Sequence, residues 1–178
     1  MKTVIKTSII AAAMAAAFST YAATPDAGVQ VNFSGTLTSS SCAVSVNDGQ
    51  STIDMGSIDT SGLTVGETTP QQNFNVDIKN CPSSVTSAYL VFDGSTADAA
   101  AGHFSITSGT GNMTDHIAMQ LLDLGTGGSI VKPSTSTVIR SLENGALSIP
   151  LAAQMVVLKD GVDDGDFTVS TSMHVIYQ

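Results

Sequence analysis

The last thirteen residues of the chain, Asp166 to Gln178, constrain the fold more than any other stretch. Apolar and polar side chains alternate there, and one face carries Phe167, Val169, Thr171, Met173, Val175 and Tyr177. This period, with its β-branched and aromatic residues, is typical of a β-strand that buries one face. A chain end frays unless it is tied down. The terminal strand therefore needs partners on both sides, from the rest of this chain or from another chain.

Residues 1–22 have the pattern of a secretory signal peptide. Lys2 and Lys6 precede a short apolar run from Ile9 to Phe18, and small residues follow up to a predicted cleavage site after Ala22. The run is too short to span a bilayer as a helix. We therefore predict that the protein is exported.

Composition favours one all-β domain in residues 23–178. Once the predicted leader is removed, four basic residues stand against fifteen acidic ones, a formal net charge of −11. That charge argues against nucleic acid as a partner. Gly, Ser, Thr and Ala are abundant, and many short alternating runs follow one another, as in a β-sandwich.

The two cysteines, Cys42 and Cys81, are predicted to form a disulfide, because an even pair in an exported protein is normally oxidised. Cys81 follows a strand pattern in which Phe74, Val76 and Ile78 alternate with polar residues. The disulfide would therefore join that strand to the one entered at Cys42.

Other runs complete a chain of short strands. A turn at Asn47 to Gly49 leads to Ile53 and Met55, which alternate as in a further strand. Further strands are predicted at Ala88–Phe92, Ile117–Leu124 and Leu147–Leu158, and Pro150 marks an edge or a bulge in the last of these. Because Leu147–Leu158 and the terminal strand are long and consecutive, they are expected to pair as a hairpin.

No pattern in the sequence indicates catalysis or a metal site. The acidic loop departs from the EF-hand spacing and lacks its bidentate glutamate; it contains Asp160, Asp163, Asp164 and Asp166. No two of the histidines have a metal-ligand spacing; they are His103, His116 and His174. The serine-hydrolase elbow, the phosphate-binding glycine loop and the His-Glu-x-x-His motif are all missing from the sequence. We predict a protein that is not an enzyme and has no cofactor.

Five stretches, taken in order, resemble the chaperone–usher pilus subunits of the type-1 fimbrial pilin family. They are Val31–Val46, Phe74–Cys81, Ile117–Asp123, Ser148–Ala153 and Phe167–Gln178. The family's terminal pattern is a glycine fourteenth from the end, alternating apolar residues and a penultimate aromatic. Gly165 and Tyr177 stand at those positions here.

The resemblance implies an incomplete immunoglobulin-like β-sandwich that lacks its last strand and is completed by a donor strand from another chain. Residues 37–178 would form the pilin domain. An apolar groove would run beside the terminal strand, at Gly165, Phe167, Val169, Met173, Val175 and Tyr177. Pairing of a peptide with a sheet edge supplies main-chain hydrogen bonds, while alternate side chains fill pockets.

The resemblance also implies a set of partners. A periplasmic chaperone would fill the groove first and grip the terminal carboxylate of Gln178, and an outer-membrane usher would pass the subunit into a fimbria on a bacterial surface, where the fibre serves adhesion. In the fibre, residues 23–36 of a neighbouring subunit would enter the groove. The donor side chains would be Ala27, Val29, Val31 and Phe33.

Two alternatives stay open at the level of sequence. Ala27 to Phe33 also has the pattern of an ordinary first strand of the sandwich, and Gly28 lies off its apolar face. The whole chain could instead be a self-sufficient secreted β-sandwich that binds carbohydrate. Behaviour in isolation separates these hypotheses, since a complete sandwich is a stable monomer and a pilin without its chaperone aggregates or polymerises.

Overall fold

The computed structural model describes residues 42–50 and 52–178. The predicted leader, the extension 23–36 and its donor residues Ala27, Val29, Val31 and Phe33 lie outside the described residues. None of the helices in the described ranges has the length and apolar character needed to cross a membrane.

Twelve strands account for most of the regular structure in these ranges. They are β1 (Ala43–Val46), β2 (Gln72–Lys79), β3 (Ser87–Gly94), β4 (Thr96–Asp98), β5 (His103–Ser105), β6 (Ser108–Gly109), β7 (Ile117–Asp123), β8 (Ser129–Val131), β9 (Arg140–Ser141), β10 (Leu147–Val157), β11 (Phe167–Thr168) and β12 (Thr171–Tyr177). The helices are single turns: α1 (Met113–His116) and two 3₁₀ turns, Asn47–Gly49 and Leu124–Thr126.

The strands form two larger antiparallel sheets and one small one. The first sheet has the order β1-β2-β10-β7-β5-β4, with β8 also paired to β7, and the second has the order β12-β3-β9. A separate pair joins β11 to β6. The predicted all-β class is confirmed.

Alternate side chains of both sheets meet in one main core. Its largest fully buried members include Ile78 on β2, Leu90 on β3 and Leu151 on β10, all at 0% exposure. Burying a side chain of this size contributes roughly 1.5–3 kcal/mol. The two sheets are therefore held together chiefly by the strands that the alternation in the sequence had indicated.

The disulfide between Cys42 and Cys81 is present, with Cα atoms 4.4 Å apart. Ala43, which directly follows Cys42, lies opposite Lys79, two residues before Cys81, in the β1–β2 register. The bond thus joins neighbouring strands of the first sheet, as predicted.

The predicted hairpin between Leu147–Leu158 and the terminal strand is wrong. β10 pairs with β2 on one side and β7 on the other, whereas β12 pairs with β3 in the second sheet. The second half of β10 is buried on both faces, so it requires a central position that a two-stranded hairpin would not provide. The chain therefore crosses from the first sheet to the second between β10 and β12.

The terminal stretch is also not one continuous strand. Phe167 and Thr168 pair with β6, while Thr171 to Tyr177 pair with β3. Between them the Ser170 N–H donates to Thr107 Oγ1 at 2.9 Å. The strand is interrupted because its two halves have partners in different sheets, although the alternation of side chains runs through both.

Two further expectations have different outcomes. Pro150 lies opposite Asn75 of β2, and pairing of β10 with β7 begins only at Leu151. Pro150 therefore lies where β10 has one neighbouring strand, which agrees with the predicted edge position.

Ile53 and Met55, in contrast, belong to an irregular segment and not to the predicted strand. Both side chains pack on the main core without a strand partner, which explains why their alternation suggested a strand.

Candidate functional site

One edge of the terminal strand is unpaired among the described residues. β12 pairs with β3 from Thr171 opposite Gly94 to Tyr177 opposite Ala88. Within residues 42–50 and 52–178, no strand pairs with its other edge. An edge of this kind presents free main-chain N–H and C=O groups to another strand.

A groove with a volume of about 1150 Å³ lies beside this edge, lined by both apolar and polar residues. Two segments border it, the irregular segment 52–60 and the segment 162–173 that leads into β12. Its lining includes Phe92 from the second sheet and Phe74 and Leu121 from the first. These three side chains are at most 7% exposed and belong to the main core, so the groove opens directly onto the interior of the sandwich.

The structure brings four of the six predicted groove residues together in this lining: Gly165, Phe167, Val169 and Met173. The other two, Val175 and Tyr177, lie further along β12 and pack, half-buried, against the main core. Burial raises the pKa of the Tyr177 phenol above its ordinary value.

Gly165 is required by its surroundings. Its φ of +148° is one that L side chains rarely adopt, and a Cβ placed on it would lie 2.7 Å from both Cβ and Oγ1 of Thr110. The backbone at the start of the terminal stretch therefore packs directly on the Thr110 side chain, which leaves room for hydrogen alone.

Gln178 is fixed to the start of β3. Its main-chain oxygen accepts hydrogen bonds from the N–H groups of Thr86 and Ser87, at 2.8 and 3.1 Å, and its N–H donates to the Ser87 carbonyl at 2.9 Å. No basic side chain in the described part of the chain forms an ion pair with Gln178.

Comparison with known proteins decides the family. The family model described as fimbrial protein matches residues 31–178. The chain belongs to the fimbrial protein family.

Two relatives illustrate the range of similarity within the fimbrial proteins. The type-1 fimbrial protein A chain of Escherichia coli strain K12 is 30% identical over 139 residues, which is 75% of this chain and 75% of that protein. The S-fimbrial protein subunit SfaG of Escherichia coli O6:K15:H31 (strain 536 / UPEC) is 34% identical over 98 residues. That second match spans 54% of this chain and about half, 55%, of SfaG.

Solved structures give the same fold. The P pilus rod subunit PapA superposes with a TM-score of 0.61 at 17% identity, covering 77% of this chain and 99% of that one. A subunit from a chaperone–usher pilus also gives a TM-score of 0.61, at 19% identity, covering 86% and 98%. The immunoglobulin-like sandwich expected from the sequence is confirmed.

The family also confirms the prediction that this chain is a structural protein and not an enzyme. In the described residues, no group of three or more His, Cys, Asp or Glu side chains is placed to hold a metal ion. The acidic loop has a structural role here. Asp163 accepts from the Asn112 N–H at 3.0 Å, and the Asp163 N–H donates to Asn112 Oδ1 at 2.9 Å.

Sequence reasoning missed part of this fimbrial protein's groove. Met55, Met113 and Met119 all line it, yet none of them lies on the terminal stretch. The reciprocal Asn112–Asp163 hydrogen bonds, which fix the loop bordering the groove, connect residues 51 positions apart. No local sequence pattern predicts a polar contact between residues so far apart. The alternation at Ile53 and Met55, in contrast, correctly indicated that these side chains are partly buried.

Proposed function

We propose that this fimbrial protein is a structural subunit of a chaperone–usher fimbria and polymerises by donor-strand exchange. The groove beside β12 accepts residues 23–36 of a neighbouring subunit as an added strand. Ala27, Val29, Val31 and Phe33 of that strand enter the groove, and the resulting fibre lies on the bacterial surface and serves in adhesion.

The unpaired edge of β12 beside the groove carries this proposal. An incoming strand would gain main-chain hydrogen bonds, each worth roughly 0.5–1.5 kcal/mol net. Its Val and Phe side chains would add roughly 1.5–3 kcal/mol each on full burial. The same edge and groove would make an uncomplemented subunit prone to aggregate.

Assembly requires protection of the groove before polymerisation. The leader, residues 1–22, directs export to the periplasm, where a chaperone lends its own strand and an outer-membrane usher then releases the subunit into the fibre. The ordered, negatively charged end of Gln178 supports a chaperone contact there, since no basic side chain of the described residues neutralises it. A basic residue of the chaperone would make a charge-assisted hydrogen bond with this carboxylate.

The test is complementation of the mature chain, residues 23–178, by a synthetic peptide of residues 23–36. The chain refolded alone at low concentration is expected to aggregate or polymerise as its concentration rises. An excess of the peptide is expected to keep it monomeric, as a one-to-one complex by native mass spectrometry, while a peptide of the same composition in scrambled order has no effect. A stable monomer that ignores the peptide would contradict the proposal and favour the self-sufficient carbohydrate-binding sandwich.

A further inference from the structure

The methionines of this protein are concentrated at the groove. Seven occur in the sequence, and two of them, Met1 and Met14, lie in the predicted leader. Four of the other five line the groove: Met55, Met113, Met119 and Met173. The fifth, Met155, lies directly opposite Met119 in the β10–β7 register. Every methionine outside the leader thus belongs to the groove or to the layer behind it.

Three of these thioethers differ from the other two in exposure. Met113 is 5% exposed and Met155 is fully buried, both within a small cluster that they form with Ile106 and Ile117. Met55, Met119 and Met173 are half-buried. Of these, Met55 and Met119 pack against both the small cluster and the main core. The groove and the layer behind it therefore combine three partly exposed methionines with two buried ones.

Methionine is flexible and polarisable, so it adapts its shape to varied side chains. It also reacts with peroxides. The sulfur attacks one oxygen of hydrogen peroxide, an S–O bond forms as the O–O bond breaks, and the second oxygen leaves as water after proton transfer. The sulfur loses two electrons and becomes a polar sulfoxide, which methionine sulfoxide reductases convert back. Because both cysteines are in the disulfide, methionines are the available sulfur targets.

We propose that Met55, Met119 and Met173 form an oxidation site for small hydroperoxides that controls whether the groove accepts a strand. The proposal rests on the function proposed above. In the open subunit peroxide reaches the three sulfur atoms, and a seated donor strand shields them. A sulfoxide formed before assembly places a polar oxygen among Phe74, Phe92 and Leu121. A donor strand that covers this oxygen without giving it a hydrogen bond binds roughly tenfold or more weakly for each sulfoxide.

The pattern of oxidation is the first measurement. The mature chain is treated with hydrogen peroxide, once alone and once saturated with the 23–36 peptide, and each methionine is then assayed by peptide mass spectrometry. The chain alone is expected to gain oxygen at Met55, Met119 and Met173 well before Met155, which serves as the internal control. Equal rates at Met119 and Met155 would overturn the proposal, whether or not the peptide binds.

Strand binding is the second measurement. A fluorescent 23–36 peptide is titrated into untreated and oxidised wild-type chain, and into a variant carrying Met55→Leu, Met119→Leu and Met173→Leu, since Leu and Met exchange with little change in volume. Oxidised wild type is expected to bind at least tenfold more weakly, while the variant binds equally before and after peroxide. Single Met→Leu variants, each recovering part of the affinity, replace the triple variant if it does not fold. The proposal would be overturned if peroxide weakened peptide binding by the variant as much as by wild type, or if fully oxidised wild type bound the peptide unchanged. If untreated wild type did not bind the peptide, the function on which the proposal rests would be refuted instead.

Discussion

Replacing Gly165 with alanine tests whether the start of the terminal stretch is held by close packing. The new Cβ would lie 2.7 Å from both Cβ and Oγ1 of Thr110 and 3.3 Å from its Cγ2, at a φ of +148°. Contacts under 3.0 Å force the backbone or Thr110 to move. Because Gly165 lines the groove, that movement would also change the groove wall.

The magnitude has two parts. Overpacking of a tight site costs typically about 1–3 kcal/mol, and holding alanine in a backbone region that favours glycine costs a further 1–2 kcal/mol, roughly. We expect Gly165→Ala to lower the free energy of unfolding by about 2–5 kcal/mol. Gly161→Ala is the matched control, because Gly161 has a φ of +72° and a Cβ added there would meet no atom within 4 Å. It should cost only about 1–2 kcal/mol.

The assay is urea unfolding of the subunit complemented by the 23–36 peptide, with the free energy taken from midpoint and slope. Thr110→Gly removes the atoms that clash with the new Cβ. In that background (the double variant), Gly165→Ala should therefore lower the free energy of unfolding only by the backbone part, without the overpacking part. Equal losses for Gly165→Ala and Gly161→Ala, with no recovery in the double variant, would refute the packing argument.

Three other predictions concern the disulfide and the chain end. Converting Cys42 and Cys81 to alanine should lower the free energy of unfolding by about 4 kcal/mol in the chain-entropy model, since the bond closes a separation of 39 residues; an unchanged urea midpoint would contradict this. Because burial raises the Tyr177 pKa, the folded state should lose stability as pH rises above about 10. Tyr177→Phe should reduce this alkaline loss, measured as urea midpoints between about pH 8 and about pH 11. An equally steep loss in the variant would show that another group causes it. Extending the chain beyond Gln178 with a short tag should abolish co-purification with the chaperone, and normal capture of the tagged subunit would show that the carboxylate is not its anchor.

The sequence predicted most of the strands because their side chains face one core. The alternation in β2, with Phe74, Val76 and Ile78 inward, and the apolar run of β10 needed no knowledge of their partners. The disulfide was predicted from the expected export and from the number of cysteines. What a strand pairs with is a different question, since the pattern of β12 is the same beside β10 or beside β3.

The groove was predictable only in part for the same reason. The terminal alternation located Phe167, Val169 and Met173, but Met119 lines the groove from β7, which the sequence predicted only as a further strand. A gap in a sheet leaves no trace in the residues around it, because they remain apolar whether the missing strand belongs to this chain or to another. The prediction of a gap came from the family resemblance.

A charge at Val31 tests the central claim most directly. If Val31 enters a neighbour's groove, Val31→Asp would bury an unpaired carboxylate there, and polymer should be lost while the complex between chaperone and subunit is formed in normal yield. Asn32→Asp, which adds the same charge on the polar face of the same stretch, should leave both yields close to wild type. The measurement is the yield of chaperone complex and of polymer for each variant expressed with its chaperone. Loss of polymer alone in Val31→Asp is the predicted result, and an equal loss of both species would show that Val31 belongs to the subunit's own core.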